Sequence, residues 1–146
     1  MRSVGMQVTA KAEYALRAAT VLASSGPGPV KSEAIAAAEG IPLRFLHNIL
    51  AALTRAGILT SLRGADGGYE LTRAPGAITV ADVIRAVEGP FAAGGGPETP
   101  APDNTLRAVW ALVRANERAV LEAVTLADLA AGRLPDLSAR GGEAQG

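Results

Sequence analysis

Leu62-Arg63-Gly64-Ala65-Asp66-Gly67-Gly68-Tyr69 is the stretch whose reading decides the fold. Ile58-Leu59-Thr60-Ser61-Leu62 runs into it and Tyr69-Glu70-Leu71-Thr72 runs out. These short apolar segments predict two strands around a six-residue turn. Three glycines in the turn permit positive φ and keep side chains off a close neighbour. Arg63 stands at the start of that turn.

Upstream, the pattern is helical. Thr9 can cap a first helix reaching about position 23, rich in alanine with Tyr14, Leu16, Val21 and Leu22 for bulk. Ser24-Ser25-Gly26-Pro27-Gly28-Pro29 is a loop. Lys31 or Ser32 opens a short helix that Gly40 ends. Pro42 leads into a third helix, where proline is tolerated in the first turn. Its apolar stripe is Leu43, Leu46, Ile49, Leu50 and Leu53. Gly57 suits a left-handed C-terminal turn. Two helices joined around Gly40, followed by a Gly-rich hairpin, predict a helix-turn-helix with a wing. The exposed residues of the third helix would be Arg44, His47, Asn48, Thr54 and Arg55.

Downstream, Thr79-Val80-Ala81-Asp82 fits a capping box with the shorter acid, opening a helix that Gly89-Pro90 ends. Residues 89–102 read as a flexible Gly/Pro loop. A long helix follows from Asp103, with Leu106, Val109, Trp110, Val113, Val120, Leu121 and Val124 as its apolar stripe. About 20 residues at 1.5 Å each span roughly 30 Å. Such a helix needs a second apolar surface, and a symmetric partner chain is the simplest supply. A last short turn is expected at 125–129, and a disordered tail over 133–146. The fold class is therefore mainly α with a small β-hairpin. A winged helix-turn-helix spans 6–88, the loop 89–102, and a dimerisation helix 103–132.

Composition narrows the function. The formal net charge is zero but unevenly spread. Residues 1–76 carry 8 Lys/Arg against 5 Asp/Glu, and residues 77–146 carry 6 against 9. A mildly basic first half suits a polyanion. The absence of cysteine excludes disulfides and thiolate metal sites. His47, the sole histidine, has no cysteine to share a metal with. No metal or cofactor is therefore expected. No apolar run approaches the roughly 18 residues of a membrane span. The N-terminus lacks the order of a signal peptide, so cytoplasm is the expected location.

The order of elements resembles the Rrf2 family of bacterial regulators, the IscR/NsrR type. The resemblance runs over about 6–132. It rests on Leu62-Arg63-Gly64 with Gly67-Gly68-Tyr69-Glu70-Leu71, on Tyr14-Ala15-Leu16-Arg17, and on Trp110 in the long helix. Family chains begin near Met6, so residues 1–5 would be an extension or a start-site artefact. The resemblance implies a dimeric transcription factor whose third helix enters the major groove while the wing touches the adjacent minor groove. Many members hold an iron–sulfur cluster on cysteines in the loop before the dimer helix, the last falling near Asn104. Here that loop holds glycine, proline and alanine. Glu13 lies near the position of a carboxylate that completes the cluster in some members, but finds no thiolates to complete.

The candidate DNA-binding residues are Ser32, Arg44, Phe45, His47, Asn48, Arg55, Arg63, Gly64, Gly67 and Gly68. A narrow minor groove attracts arginine, which favours Arg63 over a merely solvated turn residue. Arginine can chelate guanine and asparagine adenine, against the plainer reading of a polar helix face. Phe45 suits core packing better than a thymine-methyl contact. Ser32 could donate to a phosphate or cap its helix. Tyr14 and Trp110 suit packing better than an effector pocket. No catalytic constellation is present. The expected function is a homodimeric, sequence-specific regulator, in the repressing sense, on a palindromic operator in double-stranded DNA. Control would come from a small molecule, a regulatory protein or expression level alone. The alternative is a winged-helix interaction module that does not bind DNA.

Overall fold

The computed structural model describes residues 9–65, 67–89 and 104–137. The expectations for residues 1–8, for 90–103 within the Gly/Pro loop and the start of the long helix, and for the tail beyond 137 lie outside that range.

The first helix, α1 (Ala10–Ser24), starts where Thr9 accepts a hydrogen bond from the Ala12 amide at 3.1 Å. Ala12, Ala15, Ala18 and Ala19 are fully buried along it. Side chains this small let neighbouring helices approach closely, since interaxial distance follows the residues at the contact. Helix α2 (Ser32–Glu39) stops at Gly40, which takes φ +63. Helix α3 (Leu43–Arg55) then buries Leu46, Ile49, Leu50 and Leu53, spaced i, i+3, i+4 and i+7. Leu43 departs from the expected stripe. It is the first residue of the helix, one turn ahead of the packed face, and stays 38% exposed.

Strands β1 (Leu59–Leu62) and β2 (Gly68–Leu71) pair antiparallel, Leu59 opposite Leu71 and Leu62 opposite Gly68. The intervening turn is 63–67, one residue shorter than expected because Gly68 pairs. Val30, just before α2, forms a bridge to Tyr69 through bonds of 2.9 and 2.8 Å in the two directions. The hairpin is thereby tied to the start of the helix-turn-helix. A single 3-10 turn at Pro75–Ala77 leads to α4 (Val80–Glu88).

Helix α4 opens with the expected capping box: Thr79 Oγ1 accepts from the Asp82 amide and Asp82 from the Thr79 amide. Helix α5 (Asn104–Ala123) runs 20 residues, and α6 (Leu126–Ala131) opens with a second box on Thr125 and Asp128. The two boxes lie side by side, with Val80 N donating to Val124 O and Leu126 N to Ile78 O, both at 2.9 Å.

This pairing removes Val124 from the expected apolar stripe of the long helix. Val124 falls after α5, directly before the second box, and is buried in the subunit's own core. Leu121 packs partly on that core, and Leu126 is fully buried. Helix α6 packs on α1, so 124–131 also contributes to the winged-helix core. Leu137 also packs against the core, which places the start of the expected tail in contact with the fold.

Candidate nucleic-acid interface

The buried stripe of α3 dictates its outer face. With Leu46, Ile49, Leu50 and Leu53 inside, Arg44, His47, Asn48, Ala51 and Arg55 are left exposed. Positions 44, 48, 51 and 55 follow one line down the helix. No acidic residue occurs on α3, so the face is uniformly neutral or basic. Arg55 ends the helix, where a cation also suits the negative end of the dipole. Thr54 leaves this face: half-buried, its hydroxyl donates to Leu50 O at 2.7 Å.

The N-terminal end of α3 is held firmly. Phe45 is half-buried and meets Tyr14 edge to face, with ring centroids 5.5 Å apart. Such a pair contributes about 0.5–1.5 kcal/mol beyond its buried area. The Arg17 guanidinium lies over the other ring, 5.3 Å from the Tyr14 centroid. Arg17 also donates to the Glu39 carbonyl and pairs with the Glu39 carboxylate at 3.7 Å. Phe45 and Tyr14 are thus packing residues that fix the helix pair against α1.

Ser32 does not cap α2; Lys31 holds the N-cap position and no side chain caps it. The Ser32 side chain is buried and its Oγ lies 3.2 Å from Nε2 of His47. Lys31 itself is exposed, between the Val30 bridge and the helix pair. A cation directly before a helix start was the available signal for it.

At the wing, Arg63 and Gly64 are exposed at the tip. Gly64 has φ +102, and its carbonyl accepts from the Gly67 amide at 3.0 Å, closing the turn. A Cβ on Gly67 would stand 2.2 Å from Leu62 O, and one on Gly68 2.5 Å from Val30 O. These two glycines are required by the turn and the strand bridge, and they shape the loop that carries Arg63.

Behind the wing, Asp82 accepts from Arg85 at 2.9 Å and lies 3.8 Å from Arg73, the residue two beyond β2. Arg85 reaches Glu122 near the end of α5 at 3.4 Å. Burial pushes the Asp82 carboxyl up, but the Thr79 and Arg85 hydrogen bonds outweigh it and hold the group below the usual aspartate range.

Helix α5 carries the apolar surface. Leu106, Val109 and Val120 are exposed, Trp110 and Val113 half-buried. Leu112, at 64% exposure the barest large apolar side chain on this helix, was absent from the expected stripe. It follows the Ala111 position, off the line through Trp110 and Val113.

The family model described as "Rrf2: Iron-dependent Transcriptional regulator" matches residues 8–132. Rv1287 of Mycobacterium tuberculosis, an HTH-type transcriptional regulator by name, is 45% identical over 138 residues, covering 90% of this chain and 85% of its own. Among solved structures, CymR, the global cysteine regulator of Bacillus subtilis, superposes with a TM-score of 0.77 at 34% identity, over 86% of this chain and 97% of CymR. T. potens IscR superposes at 0.71 with 35% identity, over 86% of each chain. The family description names iron, and the residues here do not fit a cluster. The sequence supplies no thiolate. Among the described residues no three His, Cys, Asp or Glu side chains are grouped to hold a metal ion.

Proposed function

The chain belongs to the Rrf2 family of transcriptional regulators, and from that premise we propose that it acts as a cluster-free homodimeric repressor on a palindromic operator. Winged-helix DNA binding in transcription regulation is the family's activity, and its members are not enzymes. The observation that carries the finer reading is the outer face of α3, which presents Arg44, His47, Asn48 and Arg55 with no acid among them.

In this reading α3 lies in the major groove, Arg44 and Asn48 address base edges, and Arg55 and Lys31 address phosphate. Arg63 enters the adjacent minor groove from the wing tip. The exposed apolar side chains of Leu106, Val109 and Val120 on one face of α5 support a two-fold partner. Two-fold symmetry then predicts an operator with inverted half-sites. Repression needs only occupancy of a site that polymerase must also use. A cytoplasmic location goes with this role, and no described helix is long and apolar enough to cross a membrane. Without a cluster, control falls to a small molecule, a partner protein or expression level.

The test is a gel shift with a duplex enriched from genomic fragments by the purified protein. Arg63→Ala is expected to lower specific affinity by about 1–3 kcal/mol. Unchanged binding would remove Arg63 from the interface. Failure to retain any fragment at low salt would favour an interaction module instead.

A further inference from the structure

Among the described residues Ser32 is the buried polar side chain, and it sits where α2 meets the reading face of α3. A buried hydroxyl needs partners. It does not spend its bonds on capping α2. Its neighbours are instead the Glu33 carboxylate, with Oε2 at 3.4 Å, and Nε2 of His47 at 3.2 Å. A carboxylate only accepts, and a serine hydroxyl carries one proton. With that proton directed to Glu33, the Ser32 oxygen accepts from Nε2–H of His47. In the neutral ring this leaves Nδ1 as the bare acceptor.

We infer that Ser32 is a positioning residue that holds His47 in its Nε2–H form and leaves Nδ1 to accept a hydrogen bond from DNA. In the major groove the amine donors are N6 of adenine and N4 of cytosine. His47 would therefore select an amine-bearing base at one operator position, and Ser32 would sharpen that selection without touching DNA. The inference rests on α3 being the reading helix.

Two measurements test it. His47 is the only histidine, so its ring nitrogens give one set of long-range 1H–15N signals, recorded without DNA on the neutral ring. The wild type is expected to show the Nε2–H tautomer alone, and Ser32→Ala the mixture typical of free imidazole. An Nδ1–H tautomer in the wild type, or identical spectra in the two proteins, overturns the assignment. The second measurement is anisotropy with a duplex selected by the wild type from random-sequence DNA, and with unselected random duplex. Ser32→Ala is expected to weaken the selected duplex about three- to tenfold, the span of one hydrogen bond, and to leave the random duplex unchanged. His47→Ala should weaken it similarly and relax one base-pair position. The double variant should bind no worse than His47→Ala. Additive losses overturn the coupling. Melting curves confirm that each variant is folded. If the wild type selects no sequence, the DNA reading fails, while the tautomer still decides the Ser32–His47 pair.

Discussion

Gly68→Ala is the substitution whose cost the structure defines most closely. A Cβ there would stand 2.5 Å from the Val30 carbonyl oxygen, 2.6 Å from its carbon and 3.1 Å from the Lys31 nitrogen. Ordinary contact for a carbon is about 3.5 Å, so the strands must part by roughly 1 Å. The obstacle is backbone, which cannot swing aside as a side chain could. The two Val30–Tyr69 hydrogen bonds, now 2.9 and 2.8 Å, would then exceed the useful range. Their loss costs about 1 kcal/mol each. Position 68 also sits at φ +152, a conformation that costs a residue with a Cβ about 1–3 kcal/mol. The expected loss is therefore about 3–5 kcal/mol, a large share of the roughly 5–15 kcal/mol that stabilises a domain. Gly64→Ala is the control. It has φ +102 but open space around it, so only the backbone strain of about 1–3 kcal/mol applies. Far-UV circular dichroism in urea and on heating measures both. Gly68→Ala should melt on the order of 10 °C below wild type, and clearly below Gly64→Ala. If the two variants melt together, the Val30 contact does not carry the wing and the reasoning fails.

Other predictions address the acid network, the long helix and the missing cluster. Asp82 titrates below the usual aspartate range when folded, so its contribution is fully present above about pH 4 and is lost as pH falls through the folded value. The stability gap between wild type and Asp82→Asn, followed by urea melts, should be flat from about pH 5 to 8 and shrink below about pH 4. Val109→Glu places a charge in the exposed apolar face of α5; sedimentation should show dimer affinity weakened about 30-fold or more, and a monomeric wild type would contradict the homodimer. Anaerobic incubation with ferrous iron and sulfide should leave the protein without cluster absorbance. Stoichiometric bound iron would contradict the reading that this chain cannot hold a cluster.

Much of the architecture could be read along the chain because it is set by neighbours in sequence. The α3 stripe, the Gly40 stop, the Thr79–Asp82 box and the Gly-rich turn each depend on residues within one or two turns. Local propensity and periodicity therefore found them, and Arg44, His47, Asn48 and Arg55 followed as the remainder of a helix whose inner face was known. The errors share a different cause. Val124 reads as one more apolar residue at helical spacing, and only the docking of the second capping box against the first buries it in its own subunit. The cap read at Ser32 fails likewise, because nothing in a local pattern says that His47, fifteen residues on, lies 3.2 Å away.

The wing shows the same division at one site. Its glycines announce a turn with positive φ, which is a local property of backbone without Cβ. That Gly67 and Gly68 must also be glycine for space is decided by Leu62 O and Val30 O, which tertiary packing brings within 2.2 and 2.5 Å of where a Cβ would be. The sequence by itself thus determined which segments are helices, strands and turns, and which helix face is polar, because those follow from short-range sterics and apolar spacing. Which residues share a contact across the chain, and so which polar groups stay exposed, was decided only when long-range packing closed the loops between them.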